Sequence, residues 1–266
     1  MEQPAHRTGT AETSPDTLAA ELRDVRGVVF DTDGVITDSA RVHAAAWQEA
    51  FDAFLREHPP ADPAMRRPFD VRDDYLRYVD GKSRLDGAAA FLASRVPDPS
   101  DEAVRAVAEA KEALFTRRLR EDGVDAFPGT VRLVRALRRA GIPCAAASAS
   151  RHAGELLTRA GVLDLFDVLV DGGEAARLGL PGKPRPDLFL EAARRLGVPA
   201  GSAAVVEDAL AGVAAGRAGG FALVAGVDRA ASEETRQGLL RHGAHLVVRD
   251  LAELLDTADG RRPGHG

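Results

Sequence analysis

The stretch Val25-Arg26-Gly27-Val28-Val29-Phe30-Asp31-Thr32-Asp33-Gly34-Val35 sets an apolar run directly against two carboxylates. Apolar residues at successive rather than alternating positions suit a strand buried on both faces, as in a parallel sheet. In open α/β sheets ligands bind outside the carboxyl ends of the strands, which is where Asp31 and Asp33 would stand. Taken alone, an Asp-rich turn is equally ordinary loop chemistry.

Working outward, short apolar runs recur at Cys144 to Ala147, Val168 to Val170, Ala203 to Val206, Phe221 to Val224 and Leu246 to Val248. Between them Gly129 to Ala140, Arg151 to Ala160, Pro186 to Leu196 and Leu210 to Ala218 have helical length and period, with glycines as stop signals near their ends. Strand alternating with helix predicts an α/β fold, a Rossmann-like parallel sheet covered on both faces.

One long interruption follows the first strand. From Asp38 to about Phe127 the pattern is helical: Trp47, Phe51, Phe54 and Leu55 share a face, and Ser100-Asp101-Glu102 opens a helix reaching Leu119. The expected organisation is a mobile leader over 1–22, a core of 23–37 plus 127–258, an inserted all-helical cap over 38–126 and a flexible tail over 259–266. The leader is rich in Pro, Thr, Ser and His with little apolar pattern.

The chain has 266 residues, 45% hydrophobic and 29% charged, which is ordinary globular composition. Its net charge of -6 offers no basic field for nucleic acid or an anionic membrane surface. Arginine-rich stretches at Arg117 to Arg120 and Arg132 to Arg139 are interleaved with Leu and Val and read as solvated helix faces. No apolar stretch has the ~18 residues of a membrane span, and a single cysteine, Cys144, cannot pair within the chain. A monomer in the cytoplasm is expected, with no nucleic-acid or membrane partner.

Three later strand ends carry polar sets. Ala147-Ser148-Ala149-Ser150 puts hydroxyls and helix N-terminal amides at the same sheet edge, an anion-binding arrangement, although a helix-capping serine would look the same. Gly182-Lys183-Pro184-Arg185-Pro186 sets a cation before a helix, and Val206-Glu207-Asp208 adds two acids. A surface lysine and a helix-capping aspartate are the plain alternatives.

Four such sets in this order resemble the motifs of the haloacid dehalogenase (HAD) superfamily, over about Val25 to Asp256. The similarity is greatest to its β-phosphoglucomutase-like family, through Asp31 to Asp38, His43, Trp47, Ser148 to Ser150 and Glu207-Asp208. The resemblance implies that Asp31 is a nucleophile forming an aspartyl phosphate and that Asp33 is the general acid and base. It implies that Ser148, Ala149 and Lys183 grip the transferring phosphoryl group. Mg²⁺ would be held by Asp31, the backbone carbonyl of Asp33, Glu207 and Asp208. Such a set answers a physical need, because a carboxylate attacking a phosphate meets like-charge repulsion that a hard cation and a fixed lysine offset.

In the cap the resemblance carries over His43, beside the general acid, with Arg84 and Lys111 for the sugar and its second phosphate. Departures are Thr32 between the aspartates, Glu112 after the cap lysine, and a longer loop from Arg177 to Gly182. A carboxylate at 112 would repel a phosphate. Three functions stay open: conversion of β-D-glucose 1-phosphate to glucose 6-phosphate, hydrolysis of a hexose phosphate or trehalose 6-phosphate, and non-catalytic binding of a sugar phosphate. Of the 35 Lys and Arg only three are lysine, Lys82, Lys111 and Lys183. Two of these fall on expected phosphate sites, and Lys82, two residues from Arg84, is a further candidate at the substrate.

Overall fold

The computed structural model describes residues 16–80 and 82–256. Strand β1 (Thr17–Leu18) precedes β2 (Gly27–Asp31), and the cap follows as helices α1 (Ala40–Glu57), α2 (Arg84–Ala93) and α3 (Asp101–Asp122). The chain returns through α4 (Pro128–Arg139), β3 (Cys144–Ala147), α5 (Ala153–Arg159), β4 (Val168–Val170), α6 (Gly172–Arg177) and α7 (Asp187–Leu196). It ends with β5 (Ala203–Glu207), α8 (Leu210–Ala218), β6 (Leu223–Val227), α9 (Glu233–His242), β7 (Leu246–Val248) and β8 (Leu255–Asp256).

Six strands form one parallel sheet in the order β4-β3-β2-β5-β6-β7. All residues of β2, β3 and β5 are buried, because helices cover both faces. One face packs Val28, Phe30 and Ala146 with Leu133 and Leu137 of α4, and the other packs Val29, Ala147 and Val205 with Phe189 of α7. The chain leaves β2 toward β3 and β4, then crosses back to β5, so the strand order reverses at β2 and β5. That reversal opens a crevice at the carboxyl ends of these two strands, where Asp31 and Glu207 lie.

The cap has an apolar cluster of its own, including Trp47, Phe51, Leu55, Phe69, Phe91 and Leu92. Phe51 lies 4.1 Å from Phe91 and 5.0 Å from Phe69 between ring centroids. Ser100 starts α3 by accepting a hydrogen bond from the Ala103 amide at 3.2 Å. Between α1 and α2 the chain makes only short helical pieces, a 3₁₀ helix at Pro63–Arg66 and a π-helix at Tyr75–Val79, so helical pattern does not mean continuous helix there.

The leader expected over 1–22 differs at its end. Thr17 and Leu18 pair antiparallel with Asp256 and Leu255, Leu22 is buried in the core, and Asp16 meets Arg132 at 2.7 Å. The strand β1 is two residues long and its partner is about 240 positions away, so no local period announces it. Residues 1–15 and the expected tail lie outside the described residues. Among the described residues no helix is long and apolar enough to cross a membrane.

Candidate active site

Asp31 ends β2, and its Oδ2 accepts the Asp33 amide at 3.0 Å, which turns the chain sharply after the strand. Gly34 completes this turn at φ +79°, and a Cβ there would lie 1.8 Å from Asp208 Oδ2. Glycine is required both by the left-handed backbone and by the approach of that carboxylate. Gly212 plays the matching part for the other acid, since its Cβ would lie 1.8 Å from Glu207 Oε2.

Asp31, Glu207 and Asp208 offer carboxylate oxygens that all lie within 4.8 Å of one another. Glu207 is fixed by the amides of Asp208 and Ala209, which donate to its Oε1 at 3.1 and 2.9 Å. Asp208 does not cap α8, whose N-cap is Ala209, so the plain structural reading of this acid does not hold. Lys183 Nζ donates to Asp31 Oδ1 and, at 2.6 Å, to Glu207 Oε2. It is a buried cation held between acids and not a surface lysine.

The set fits a hard divalent cation. Its donors are all oxygen, two glycines keep the cradle clear, and one lysine faces three clustered acids. Burial and then the Glu207 charge push the Asp31 carboxyl up to about 8, against the opposing pull of Lys183. Burial lowers Lys183, but the charges of Asp31 and Glu207 outweigh it and hold the ammonium well above its usual range.

Asp33 stands in a different environment. Ser39 Oγ donates to its Oδ1, and His43 Nε2 lies 3.3 Å from the same oxygen. Burial would raise its pKa, but His43 beside it, with Ser39, holds it at about 2. Lys111 from α3 reaches His43 Nδ1 at 2.9 Å, and its ammonium sits 4.6 Å from the Phe115 ring centroid. The two aspartates of the motif are thus tuned in opposite directions, one raised and one lowered.

A cavity of about 410 Å³ joins these groups to the cap. Its lining includes Asp31, Asp33, His43, Arg84, Ala149 and Asp208, and all three lysines of the chain line it. Ser148 is buried behind the lining, with its Oγ accepting the Ser150 amide at 3.1 Å. Glu112 meets Arg84 at 3.0 Å and His152 at 2.7 Å, so the carboxylate at 112 does not stand alone against a phosphate but clasps a cap arginine and a core histidine.

Asp80 and Arg151 of the cleft, and His152 against Glu112, were not anticipated from sequence. Asp80 lines the cavity from the cap, and burial followed by the Glu207 charge pushes it up to about 7. Burial and then the Asp80 charge raise Asp208 well above the carboxylate range, and both acids line the cavity. Arg151 and His152 directly follow the Ala147 to Ser150 loop, and that adjacency was the available signal. Asp80 follows an irregular turn and gives no periodic signal.

A model of the haloacid dehalogenase-like hydrolases matches residues 25–220. The chain belongs to this family. This HAD-family chain is similar to a β-phosphoglucomutase of Mycobacterium bovis, with 44% identity over 240 residues, 87% of this chain and 92% of that protein. A β-phosphoglucomutase of Bacillus subtilis is 32% identical over 241 residues, 86% of this chain and 92% of that protein. Among solved structures, a β-phosphoglucomutase of Clostridium difficile aligns with a TM-score of 0.66 at 26% identity, covering 86% of this chain and 93% of that one. As a HAD-family member of the β-phosphoglucomutase-like group, the chain is an enzyme of the phosphotransferase and hydrolase kind.

Proposed function

We propose that this enzyme interconverts β-D-glucose 1-phosphate and glucose 6-phosphate by Mg²⁺-dependent phosphoryl transfer through an aspartyl phosphate on Asp31. The observation that carries the reading is the cavity shared by Asp31, Asp33 and the cap cations Arg84 and Lys111. A mutase needs such a cleft, because a bisphosphate must present either phosphate to one nucleophile while the other is held away. Similarity to the mutases named above supports the same choice.

In this reading phosphorylated Asp31 gives its phosphoryl group to the sugar 6-hydroxyl. A P–O bond to the sugar forms, the bond to Asp31 breaks, and Asp33 takes the hydroxyl proton. The resulting bisphosphate turns end for end, Asp31 takes the phosphoryl group from the 1-oxygen, and Asp33 returns the proton to that oxygen. An ionised Asp33 suits the first half, and His43 backed by Lys111 holds it in place. Lys183 fixes the orientation of Asp31 and Glu207, while the Ala149 amide at the cavity wall and the Ser148 hydroxyl behind it would grip the transferred group. Mg²⁺ would be held by Asp31, Glu207, Asp208 and the Asp33 carbonyl, and would neutralise charge developing on the phosphoryl oxygens. The enzyme is read as a cytoplasmic monomer, in keeping with its acidic charge and lone buried Cys144, whose thiol burial pushes up to about 12.

A sugar-phosphate phosphatase is the second reading, and the Glu112 hold on Arg84 favours it by weakening a distal phosphate grip. The two separate when the enzyme is given Mg²⁺, β-glucose 1-phosphate and a trace of the 1,6-bisphosphate, with glucose 6-phosphate and free phosphate followed separately. Glucose 6-phosphate in excess of phosphate is expected. Phosphate without isomerised sugar would contradict the mutase and leave the phosphatase.

A further inference from the structure

The two chain segments that join core and cap run side by side. The Phe127 amide donates to Ile36 O and the Asp38 amide to Asp125 O, both at 2.9 Å. Asp33 lies at the start of the first segment, and its carboxylate is held by Ser39 and by His43 of α1. The cap has an apolar cluster of its own, so a shift of α1 with the cap pulls on the Asp33 side chain.

Arg229, in the loop after β6, grips the core side of both segments. Its Nε donates to Gly34 O at 3.2 Å, and its Nη2 donates to Val35 O and Thr130 Oγ1, both at 3.3 Å. Its Nη1 donates to Asp250 Oδ2 at 2.7 Å and to Arg249 O at 3.3 Å, beyond β7. The guanidinium carbon lies 3.7 Å from the Phe127 ring centroid. A guanidinium carries its N–H donors in a rigid fork, and here every nitrogen of that fork is engaged.

The surroundings are fitted to this residue. The Thr130 hydroxyl also donates to Val35 O at 2.7 Å, and a Cβ on Gly129 would lie 1.7 Å from Asp250 Oδ1. Balancing the charge of Arg229 needs only Asp250. The bonds to Gly34 O and Val35 O do something else, since they tie the turn that carries Asp33 to the core sheet.

We propose that Arg229 is a positioning residue for the acid–base step. It fixes the backbone of the Asp33 turn to the core, so that Asp33 keeps its place beside Asp31 while its carboxylate is held from the cap. The inference rests on the reading of Asp33 as general acid and base, and it applies to a mutase and to a phosphatase alike.

The test compares two phosphoryl donors at saturating Mg²⁺ in single turnovers with enzyme in excess. With glucose 1,6-bisphosphate a bond from Asp31 to phosphorus forms, the bond from phosphorus to the sugar oxygen breaks, and that oxygen takes a proton from Asp33. With p-nitrophenyl phosphate the same bond forms, but p-nitrophenolate leaves with its electron pair and needs no proton. The readout is the ratio of the sugar rate to the aryl rate, and a loss of folded enzyme lowers both rates alike. Arg229→Lys keeps the charge but offers one nitrogen in place of three, and it is expected to lower the ratio about 10- to 100-fold. Thr130→Val, a milder change in the same arrangement, should lower it by roughly threefold to tenfold, the scale of one hydrogen bond. Asp33→Asn is the reference and should lower the ratio at least as far as Arg229→Lys. If Asp33→Asn lowers the ratio and Arg229→Lys leaves it unchanged, the role of Arg229 is overturned and that of Asp33 stands. If Asp33→Asn itself leaves the ratio unchanged, or the unaltered enzyme releases neither product, the acid–base reading fails and the assignment of Arg229 goes with it.

Discussion

Lys111 on α3 donates to His43 Nδ1 on α1 at 2.9 Å. An ammonium has only donors, so Nδ1 must accept and the imidazole proton must sit on Nε2, the nitrogen 3.3 Å from Asp33 Oδ1. Burial, and then the Lys111 charge, lowers the His43 pKa and favours this neutral tautomer. Lys111→Met should free the ring to turn and cost about 10- to 100-fold in kcat, read from steady-state rates.

The same lysine gives a pH signature in stability. Burial lowers Lys111 from its ordinary 10.5 to about 8, so the unfolded chain binds more protons between those values. Stability from this group is full above 10.5 and lost as pH falls to 8, with a cost of roughly 3 kcal/mol at neutral pH before the orphaned His43 is counted. Thermal melts of Lys111→Met and the unaltered enzyme should therefore differ by pH, with the unaltered enzyme gaining on the variant as pH rises from 8 to 10.5. Parallel curves would mean that the ammonium is not buried as described.

Glu112 follows the opposite sign. Burial would raise its carboxyl, but Arg84 and Lys111 hold it below the usual range, so its stabilisation is present above the ordinary glutamate pKa and lost as pH falls. Glu112→Gln is expected to cost about 1 kcal/mol at pH 7, the scale of a well-placed, partly exposed ion pair. The difference in Tm between variant and parent should close below a pH of about 4. A constant difference down to acid pH would assign the loss to packing instead of charge.

Gly34 and Gly141 both have positive φ, +79° and +75°, yet only Gly34 has Asp208 in the path of a Cβ. Gly141→Ala meets nothing within 4 Å and should cost only the backbone strain, about 1 kcal/mol. Gly34→Ala adds displacement of Asp208 and should cost more than about 2 kcal/mol, together with weaker Mg²⁺ binding by calorimetry. Equal effects of the two substitutions would show that Gly34 serves the turn alone.

Phe91 is fully buried in the cap cluster, in contact with Phe51 and Phe69. Phe91→Ala should cost about 3–5 kcal/mol, and because the cap cluster is separate from both faces of the sheet, the loss should fall on the cap. Limited proteolysis should cut first between residues 38 and 126 while the sheet persists. Cutting that begins in the sheet would show one cooperative unit.

Much of this arrangement was legible in the sequence because a strand buried on both faces is apolar at every position, as Val28 to Phe30 and Ala203 to Val206 are. Each of these runs ends where a charge begins, so Asp31 and Glu207 could be brought to one edge by topology alone, whereas Lys183 reaches that edge from the loop between α6 and α7. Helix α9 escaped because Glu233 to His242 buries little besides Gly238 and Leu239, which leaves no apolar stripe to read. Asp80 and the Arg84–Glu112–His152 clasp escaped for another reason: they depend on how the cap sits on the core, and no period within either segment encodes that. Glu112 illustrates this best. Its charge was visible in the sequence, but the partners that balance it were not.

The most direct measurement is the covalent state of Asp31. The enzyme is mixed with Mg²⁺ and glucose 1,6-bisphosphate, quenched in acid within the first turnover, and weighed intact and as peptides. A mass increment of one phosphoryl group on the peptide carrying Asp31, absent from Asp31→Asn, is the expected result. Turnover without that adduct, or a phosphoryl group on any other residue, would contradict phosphoryl transfer through Asp31.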